Sequence, residues 1–552
     1  MATSNRLGAK ESDHKNIVSG GPQLLGPYHL SYSEYLLRRL ESGGNKVAQI
    51  HGITGATSSY GEILQKSVNL AEGLRKLGVK KGDVIAIFCE NRFEFTVCAI
   101  AVMFVGAVNA PINTMYLKDE LHNILTIAKP KMVFVSSSTI QSLKDVKTSI
   151  RSIEKLINID SDGSDANVGI LAYNDLVRNH VDVSSYEVVK VGIHDPLVIL
   201  CSSGTTGMPK GVVITHHNAS VCNDILGFGI GRHRPVAQHC LISIVPWFHA
   251  YGFLTQLMAL NFHLRYVYLH GFEAVTFLNA IQQYKVTLSF LVPPLMVFLA
   301  KHPLVDKYDL SSMTDIWCAA APLSEELELA VKKRIGNIRI LQGYGMTEAT
   351  MGVTHNSMTD KSKSGSSGTC VPGIKIKIVD LETGEALGPN KPGEVWIKGP
   401  IVMAGYLGDE TSTQLTVDRD GWLHSGDIAY YDEEGFFFIV DRLKELIKYK
   451  AYQVPPAELE AIILQNPGIK DCGVVGLPDE AAGELPLAFV VLQPGSSLTE
   501  DQIKDFVAQR VSYQKRLHGG VRFLKEIPKN PSGKILKREL RKMLTFSKMS
   551  KF

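Results

Sequence analysis

The sequence has no marked excess of charge of either sign. Its 58 Lys and Arg residues are opposed by 55 Asp and Glu residues, a formal net charge of +3 over 552 residues. Because this imbalance is small and no long basic run is present, a nucleic-acid-binding protein is not indicated. Charged residues make up 20% and hydrophobic residues 45% of the chain, the composition of a folded protein.

Paired cysteines and long apolar segments are also missing. The eight cysteines are scattered and none forms a CxxC pair, so neither a zinc site nor a disulfide framework is indicated, and a reducing compartment is expected. The longest apolar run, residues 95–108, is too short to cross a bilayer and predicts a buried helix. Residues 1–15 are polar, which argues against a secretion signal. A soluble protein without a membrane span is expected.

Helix-like and strand-like segments alternate along most of the chain. Apolar residues at helical spacing over 64–77 are followed by a strand-like run at 84–88. The alternation predicts an α/β fold with largely parallel sheets. After about residue 365, Gly and Pro interrupt strand-like segments, which predicts a β-rich subdomain. Further strand-like runs lie at 132–135, 197–200, 241–245, 288–292, 338–341, 374–379, 394–397 and 436–440.

The length predicts at least two domains, because a single core rarely grows to this size. We place the boundary at Arg442–Lys444. An N-terminal domain then covers residues 1–441, a hinge covers 442–444, and a small α+β domain that can act as a lid covers 445–546. Residues 547–552 form a tail.

The most informative motif is a run rich in glycine, serine and threonine that ends with a lysine. Open backbone N–H groups at glycines, hydroxyl groups and a lysine are suited to phosphate binding. The spacing differs from a Walker A loop, and the β-branched residues 212–214 predict that a strand follows the loop. An ordinary turn between two strands is the alternative. The motif consists of Ser202, Ser203, Gly204, Thr205, Thr206, Gly207, Met208, Pro209, Lys210 and Gly211.

Four shorter motifs follow this loop. In 342–348, Tyr344 offers a ring to a base and Glu348 a carboxylate, while Asp427 in 422–427 can accept hydrogen bonds from ribose. The others are 441–448 and the loop 531–534, which carries Lys534. Taken singly, each could be a surface turn, and a lysine in such a loop is usually only solvated.

The five motifs in this order resemble the acyl-adenylate-forming superfamily. This superfamily includes acyl-CoA synthetases, 4-coumarate:CoA ligases, peptide-synthetase adenylation domains and beetle luciferases. The likeness covers about residues 30–545 and is closest to the insect branch of beetle luciferases and fatty-acyl-CoA synthetases. It implies ATP, Mg²⁺ and coenzyme A as cofactors or co-substrates, with Glu348 holding the metal. The residues implied to contact ATP are Ser202, Ser203, Gly204, Thr205, Thr206, Gly207, Lys210, Tyr344, Thr347, Asp427, Arg442 and Lys534.

The resemblance also implies how the reaction proceeds. A carboxylate that attacks a triphosphate brings two anions together, so the barrier is largely electrostatic. Lys534 would bridge the acid and the α-phosphate, with His249 beside the carboxylate and Thr347 at the α-phosphate. Because water would destroy the acyl-AMP, the small domain is expected to close as a lid. Lys444 would be the hinge, and Lys448 would act when the acyl group passes to coenzyme A.

Some residues depart from the family pattern. Tyr251, Cys222 and Met351 are implied to line the acid pocket, and beetle luciferases carry Arg and Ser at the last two positions. The more apolar pocket favours an aliphatic chain. Residues 318–321 replace a segment that usually contains glycines. Ala451 stands where the family usually has Gly, beside the pantetheine tunnel, and could slow thioester formation.

These features predict a medium- or long-chain fatty acid:CoA ligase. The alternatives are an aryl-acid ligase of the 4-coumarate type, a weak luciferase-like monooxygenase and, outside enzymes, a silent nucleotide-binding homologue. The terminal Ser550-Lys551-Phe552 resembles a peroxisomal address of the Ser-Lys-Leu type. A peroxisomal import receptor is therefore an expected partner, and a cytoplasmic protein with a polar tail is the alternative.

Overall fold

The structure is a computed structural model. It describes residues 16–161, 163, 170–202, 209–232, 234–336, 338–358, 361, 363–450, 452–479, 481–530 and 533–549, with side chains as far as residue 544. Residues 203–208, Ala451 and the terminal Ser550–Phe552 lie outside this description. No helix among the described residues has the length and apolar character needed to cross a bilayer.

Several helices begin where the sequence supplies capping groups. Ser31 accepts a hydrogen bond from the backbone of Glu34, whose carboxylate accepts one from the backbone of Ser31, and Ser59 and Glu62 repeat this capping box. The helices are α1 (Tyr32–Gly43), α2 (Tyr60–Lys76), α3 (Phe93–Phe104), α4 (Lys118–Ala128), α5 (Ile140–Lys147), α6 (Tyr173–Val177), α7 (His216–Gly231), α8 (Ala250–Asn261), α9 (Ala274–Tyr284), α10 (Pro293–Lys301), α11 (Glu325–Ile335), α12 (Glu410–Thr416), α13 (Pro456–Leu464), α14 (Glu500–Ala508) and α15 (Lys537–Met549).

The first large sheet is parallel in its centre. Its strands are β4 (Val84–Phe88), β5 (Val108–Pro111), β6 (Met132–Val135), β7 (Lys155–Asn158), β8 (Ile170–Ala172), β9 (Pro196–Ser202), β10 (Lys210–Thr215) and β21 (Gly405–Tyr406). Their order is β21-β10-β9-β5-β4-β6-β7-β8, and only β10 pairs antiparallel with its neighbours. Side chains of β4 alternate between two cores, because Ile85 and Ile87 face one and Ala86 and Phe88 face the other.

The second large sheet shares its main core with the first. Its strands are β2 (Val47–His51), β3 (Thr57–Ser59), β11 (Cys240–Ser243), β12 (Arg265–Tyr268), β13 (Leu288–Leu291), β14 (Asp315–Cys318), β15 (Arg339–Tyr344), β16 (Thr354–His355) and β17 (Thr369–Cys370). The order is β17-β16-β15-β14-β13-β11-β12-β2-β3, with parallel pairing from β15 to β2. Helix α3 lies in the shared core and is buried from Phe95 to Phe104, as its apolar sequence predicts.

Two smaller sheets complete the fold. The antiparallel sheet with its own core contains β1 (Ile17–Ser19), β18 (Lys375–Val379), β19 (Ala386–Leu387), β20 (Gly393–Lys398), β22 (Leu423–Tyr431) and β23 (Phe437–Arg442). The C-terminal sheet contains β24 (Ile447–Tyr449), β25 (Tyr452–Val454), β26 (Ile469–Asp479), β27 (Gly483–Leu492) and β28 (Gly520–Phe523), and it packs with α13, α14 and α15 around separate cores. We call residues 16–442 the large unit and residues 447–544 the small unit.

The predicted α/β fold, with a β-rich part and a small α+β part, is confirmed. Strand β23 ends at Arg442 and the C-terminal sheet begins at Ile447, while the hinge at 442–444 stays a prediction. The parallel strands of the second sheet end towards one edge, where ligands of α/β proteins usually bind. The segments that follow β11 and β15 at this edge carry His249, Tyr251, Thr347, Glu348 and Met351 of the predicted site.

Candidate active site

The glycine-rich run is closed at its base by two strands. Lys210 on β10 is paired with Ser202 on β9, so the run turns back on itself. The strand predicted to follow the loop is confirmed as β10. Ser203, Gly204, Thr205, Thr206 and Gly207 lie outside the described residues. The Oγ atom of Ser202 is buried and has no hydrogen-bond partner among the described residues.

Lys210 is held on the large unit by three groups. Its Nζ atom donates to Ser412 Oγ at 2.5 Å, lies 3.5 Å from Asp409 Oδ2, and sits 4.9 Å from the ring centroid of Tyr406. The hydroxyl of Tyr406 donates to Glu348 Oε1 at 3.0 Å. One tyrosine therefore connects the lysine of the first motif with the carboxylate of the second. No sequence motif marked these neighbours of Lys210.

Tyr344, Asp427 and Arg442 form one polar cluster. The hydroxyl of Tyr344 donates to Asp427 Oδ2 at 2.7 Å, and Arg442 Nε lies 3.4 Å from Asp427 Oδ1. Burial, followed by the charge of Asp427, raises the pKa of Tyr344 well above its usual value. The pairing of β22 with β23 sets Asp427 opposite Arg442. Three residues predicted from separate motifs are thus brought together.

Thr347 and Glu348 occupy a short turn that follows β15. This 3-10 turn, Thr347–Ala349, is buried, with Thr347 9% and Glu348 6% exposed. The segment after it passes close to the strand end, since a side chain on Gly345 would overlap the carbonyl oxygen of Met351. Glycine is therefore required at 345.

Lys534 enters this region from the small unit. Its loop is a tight turn in which Lys534 N donates to Asn530 Oδ1 at 2.8 Å and Asn530 N donates to Lys534 O at 2.9 Å. Burial lowers the pKa of Lys534 to about 7, and repulsion from Arg442 adds to the shift, while Asp427 opposes it. Lys534 is thus close enough to the Tyr344 cluster to interact with its charges.

His249 also interacts electrostatically with Lys534. It is the N-cap of α8, and its Nδ1 atom accepts a hydrogen bond from Tyr251 N at 3.3 Å. That bond leaves the proton of the neutral ring on Nε2. Burial, with repulsion from Lys534, lowers the pKa of His249 to about 4. The imidazole is therefore neutral near pH 7.

Of the three residues predicted to line an acid pocket, Cys222 and Met351 lie near each other, and Tyr251 contacts the end of β14. Burial raises the pKa of the Cys222 thiol to about 12, and the backbone of Gly352, next to Met351, opposes the shift. Met351 has a φ of 87°, an unusual backbone conformation for a residue with a side chain. The hydroxyl of Tyr251 donates to Trp317 O at 3.0 Å. The predicted residues do not include Trp317, which the structure adds to this group.

A cleft opens near His249, where the two units meet. Its volume is about 320 Å³. Phe248, Val292 and Pro294 line it from the large unit, and Asn530 and Gly533 line it from the small unit. Because the loop of Lys534 forms part of its wall, a movement of the small unit would change this cleft.

The predicted hinge begins within the cluster, because Arg442 is its first residue, and Lys444 contributes to the lowered pKa of Lys534. Lys444 is exposed and lies in a turn where Glu445 N and Leu446 N both donate to Arg442 O. Lys448 is exposed on β24, and its backbone N–H donates to Glu484 Oε2 at 2.8 Å. No contact among the described residues joins the side chain of Lys448 to Lys534 or His249.

Comparison with known proteins assigns the family. The family described as AMP-binding enzyme matches residues 37–407, and its counterpart, AMP-binding enzyme C-terminal domain, matches residues 458–534. The chain belongs to the AMP-binding enzyme family. It is an enzyme of the adenylate-forming acid:CoA ligase class, as the motifs predict.

Curated relatives cover almost the whole chain. A luciferin 4-monooxygenase of Photuris pensylvanica is 42% identical over 92% of this chain and 94% of its own length. A 4-coumarate–CoA ligase 3 of Arabidopsis thaliana is 39% identical over 95% of this chain and 93% of its own length. Among solved structures, ATP-bound MatB from Rhodopseudomonas palustris has a TM-score of 0.83 at 26% identity and covers 93% of this chain and 99% of its own.

A second solved structure supports the fold alone. The anthranilate CoA ligase AuaEII in complex with anthranoyl-AMP has a TM-score of 0.87 at 23% identity, and the match covers 95% of this chain and 99% of that one. Both units of the present chain are included in these long matches.

Proposed function

We propose that this enzyme activates a medium- or long-chain fatty acid with ATP as an acyl-AMP and then transfers the acyl group to coenzyme A. The observation that carries the proposal is the position of Lys534. This lysine of the small unit interacts electrostatically with His249 on one side and with Asp427 and Arg442 on the other. A cation between an acid site and a nucleotide site is what adenylation requires.

The nucleotide would lie against the Tyr344 cluster. Tyr344 offers a ring face to adenine, and Asp427 and Arg442 offer an acceptor and donors to the ribose hydroxyls. Ser202 and Lys210 at the base of the glycine-rich run would hold the β- and γ-phosphates. Thr347, in the turn after β15, would donate to the α-phosphate.

Mg²⁺ is compatible with the groups present at Glu348. Among the described residues, no three His, Cys, Asp or Glu side chains converge on one metal position. Mg²⁺ is often bound by one or two carboxylates together with substrate phosphates and water. The buried carboxylate of Glu348, oriented by Tyr406, suits such a role. The ion would supply charge neutralisation at the phosphates of ATP.

The chemistry of both half-reactions follows from the cluster. A carboxylate oxygen of the acid attacks the α-phosphorus, the bond to the β-phosphate oxygen breaks, and pyrophosphate leaves. Lys534 would stabilise the negative charge shared by the attacking oxygen and the α-phosphate. The thiol of coenzyme A then loses its proton and attacks the acyl carbon, and AMP leaves.

The second half-reaction would require the small unit to move. The cleft of about 320 Å³ is a route for the thiol arm, and the loop of Asn530 and Gly533 forms part of its wall. Rotation about Lys444 would withdraw this loop together with Lys534 and bring the exposed Lys448 towards the site. Ala451, at the predicted tunnel, lies outside the described residues.

An aliphatic acid is favoured by the pocket residues. Cys222 is buried and Met351 is apolar, so neither offers the charged or planar group that would orient a polar aryl acid. Aryl acids are the second candidate, because the rings of Tyr251 and Phe290 lie 5.6 Å apart at 80° beside the same pocket. The name of the Arabidopsis relative points to the same alternative.

The test is coenzyme A consumption and pyrophosphate release with straight-chain acids beside cinnamic acids. The proposal predicts acyl-CoA and AMP from the straight-chain acids at rates well above those from the cinnamic acids. A strong preference for cinnamic acids would contradict the aliphatic assignment. If pyrophosphate exchange fails with every acid, the enzymatic assignment itself is wrong. Light emission with luciferin and ATP tests the monooxygenase alternative.

A further inference from the structure

A buried series of aromatic rings lies behind Tyr251. Ring centroids are separated by 5.6 Å between Tyr251 and Phe290, by 5.4 Å between Phe290 and Trp317, and by 3.7 Å between Trp317 and His355. Trp317, at the end of β14, is only 4% exposed. We propose that the indole of Trp317 is the end wall of the acid pocket and limits the length of the acyl chain. This inference rests on the proposed aliphatic substrate.

Helix α7 places Trp317 relative to the pocket. Cys222 and Gly229 are seven residues apart, which puts them on one face of α7 about 10 Å apart along its axis. A Cβ atom on Gly229 would lie 3.0 Å from Cη2 of Trp317, so the indole abuts the helix at this point. A chain that enters beside Cys222 and Met351 and follows this face would meet the indole after two helical turns.

The indole is held firmly in this position. The ring of His355 packs against it at a tilt of 36°, and the Nδ1 atom of His355 accepts a hydrogen bond from Ser357 N at 3.0 Å. Tyr251 fixes the strand end through its hydrogen bond to Trp317 O. Because protein interiors are closely packed, a wall supported on these sides cannot retreat from a longer chain.

The wall is also uncharged. Burial lowers the pKa of His355 to about 3, so its ring is neutral near pH 7. A neutral apolar wall suits the methyl end of an alkyl chain and offers nothing to a second carboxylate. Within the proposed range of fatty acids, the geometry therefore selects medium-chain acids over long-chain acids.

The experiment compares acids from hexanoic to stearic with the wild type, Trp317→Leu and Trp317→Ala. Acyl-CoA formation gives kcat/KM for each acid. We expect the wild type to prefer octanoic to dodecanoic acid and the variants to shift the optimum to longer acids. Burying one extra methylene is worth roughly a fourfold change in binding. The ratio of palmitic to octanoic acid should therefore rise at least about tenfold.

Trp396→Leu is the matched control. Trp396 also stacks on a histidine, His424, with centroids 3.7 Å apart, but it lies on β20 in the antiparallel sheet. The Trp396→Leu substitution should leave the ratio of palmitic to octanoic acid activity unchanged. Because the ratio is taken within one protein, it does not depend on how much of a variant folds.

Two outcomes separate the inference from the function it rests on. If the wild type uses straight-chain acids and both Trp317 variants keep its profile, the inference fails and the proposed function stands. If the wild type uses no straight-chain acid, the proposed function fails. If the variants do not fold, an inhibition experiment on the wild type decides. Palmitic acid and decanoic acid are each tested as inhibitors of octanoic acid activation. Equal inhibition by the two acids would overturn the inference.

Discussion

Two lysines reach the candidate site from different units, and their surroundings differ. Lys210 on the large unit donates to Ser412 and lies beside Asp409 and the ring of Tyr406. Lys534 on the small unit is buried near a second cation, Arg442, and its pKa is lowered to about 7. The charge of Lys210 is balanced within its own unit. The charged form of Lys534, by contrast, is unfavourable until an anion binds beside it.

This difference suggests how closure is coupled to the substrates. Burial of an ammonium group without sufficient compensation disfavours the charged form. The α-phosphate and the acid carboxylate would supply the missing negative charge, so both substrates together should stabilise the closed arrangement. The large unit can then hold ATP before the small unit closes.

The largest expected effect comes from Lys534→Ala. Adenylation should slow by about a hundredfold or more, because removal of one such contact to a developing charge typically costs about 3 kcal/mol of transition-state stabilisation. Pyrophosphate release measures this step. Thioester formation from supplied acyl-AMP should be largely retained, since the proposed movement of the small unit would withdraw Lys534 in that step.

Lys529→Ala provides the control for this variant. Lys529 lies on the same loop, but its Nζ atom pairs with Asp471 of the small unit at 2.6 Å. Its loss should change adenylation only slightly. Equal damage to both half-reactions by Lys534→Ala would contradict the movement of the small unit.

The pH dependence tests whether the Lys534 charge is needed. Its pKa is lowered to about 7 in the closed protein, so the cationic form is lost as pH rises above about 7. We expect kcat/KM for adenylation to fall by about tenfold per pH unit above that value. Anionic substrates favour the cation, so the fall in kcat should begin at higher pH. His249, with a pKa of about 4, does not titrate in this range.

Lys534→Arg is the control for the profile, because arginine stays charged. The variant should be slower at neutral pH, with no decline in kcat/KM above about pH 7. A decline that persists in the variant would assign the titration to another group. In the unliganded protein, the lowered pKa also means that closure is favoured as pH rises from about 7 towards the usual pKa of lysine, since the closed form binds fewer protons.

Much of the fold could be predicted because buried strands are continuous apolar runs. The runs 84–88 and 132–135 are observed as strands with the same limits. The strand-like run 338–341 ends before the motif 342–348, yet β15 extends to Tyr344. The reason is tertiary: β16 pairs antiparallel with Gly343 and Tyr344 and lengthens the ladder.

Site residues could be predicted from the sequence only where several binding groups lie within one short segment. The contacts of Tyr406 with Glu348 and of Ser412 with Lys210 join residues 58 and 202 positions apart. Neither Tyr406 nor Ser412 stands in a motif, and a lone polar residue on the two-residue strand β21 or the short helix α12 gives no periodic signal. The contact of Trp317 with His355 escaped prediction for the same reason, because packing between residues far apart in the sequence determines it.

A third lysine makes a contact between the two units. Its substitution tests closure of the small unit separately from the charge of Lys534. Lys301 at the end of α10 donates to the carbonyl oxygen of Leu464, at the end of α13, at 2.7 Å. Lys301→Met should weaken the closed arrangement and slow adenylation by about tenfold, since a hydrogen bond from a charged group is worth at least about 1.5 kcal/mol. Thioester formation from acyl-AMP should be unchanged or faster.

Lys285→Met is the matched control, because Lys285 makes an exposed pair with Asp309 within the large unit. Exposed pairs of this kind contribute little. If both variants slow adenylation equally, the contact of Lys301 with Leu464 does not stabilise closure.

The smallest effect concerns strain on the large unit itself. Ala320 has a φ of 77°, in the region that favours glycine, and lies in the segment that departs from the glycine-rich family pattern. Ala320→Gly should raise the free energy of unfolding of the large unit by about 1 kcal/mol, because a left-handed backbone costs a residue with a Cβ about that much. Denaturant unfolding measures the change. Ala319→Gly, at a neighbour without a positive φ, should instead lower stability. If both substitutions lower the free energy of unfolding, the backbone at Ala320 is not strained. The large unit would then carry no more strain along this segment than around Lys210.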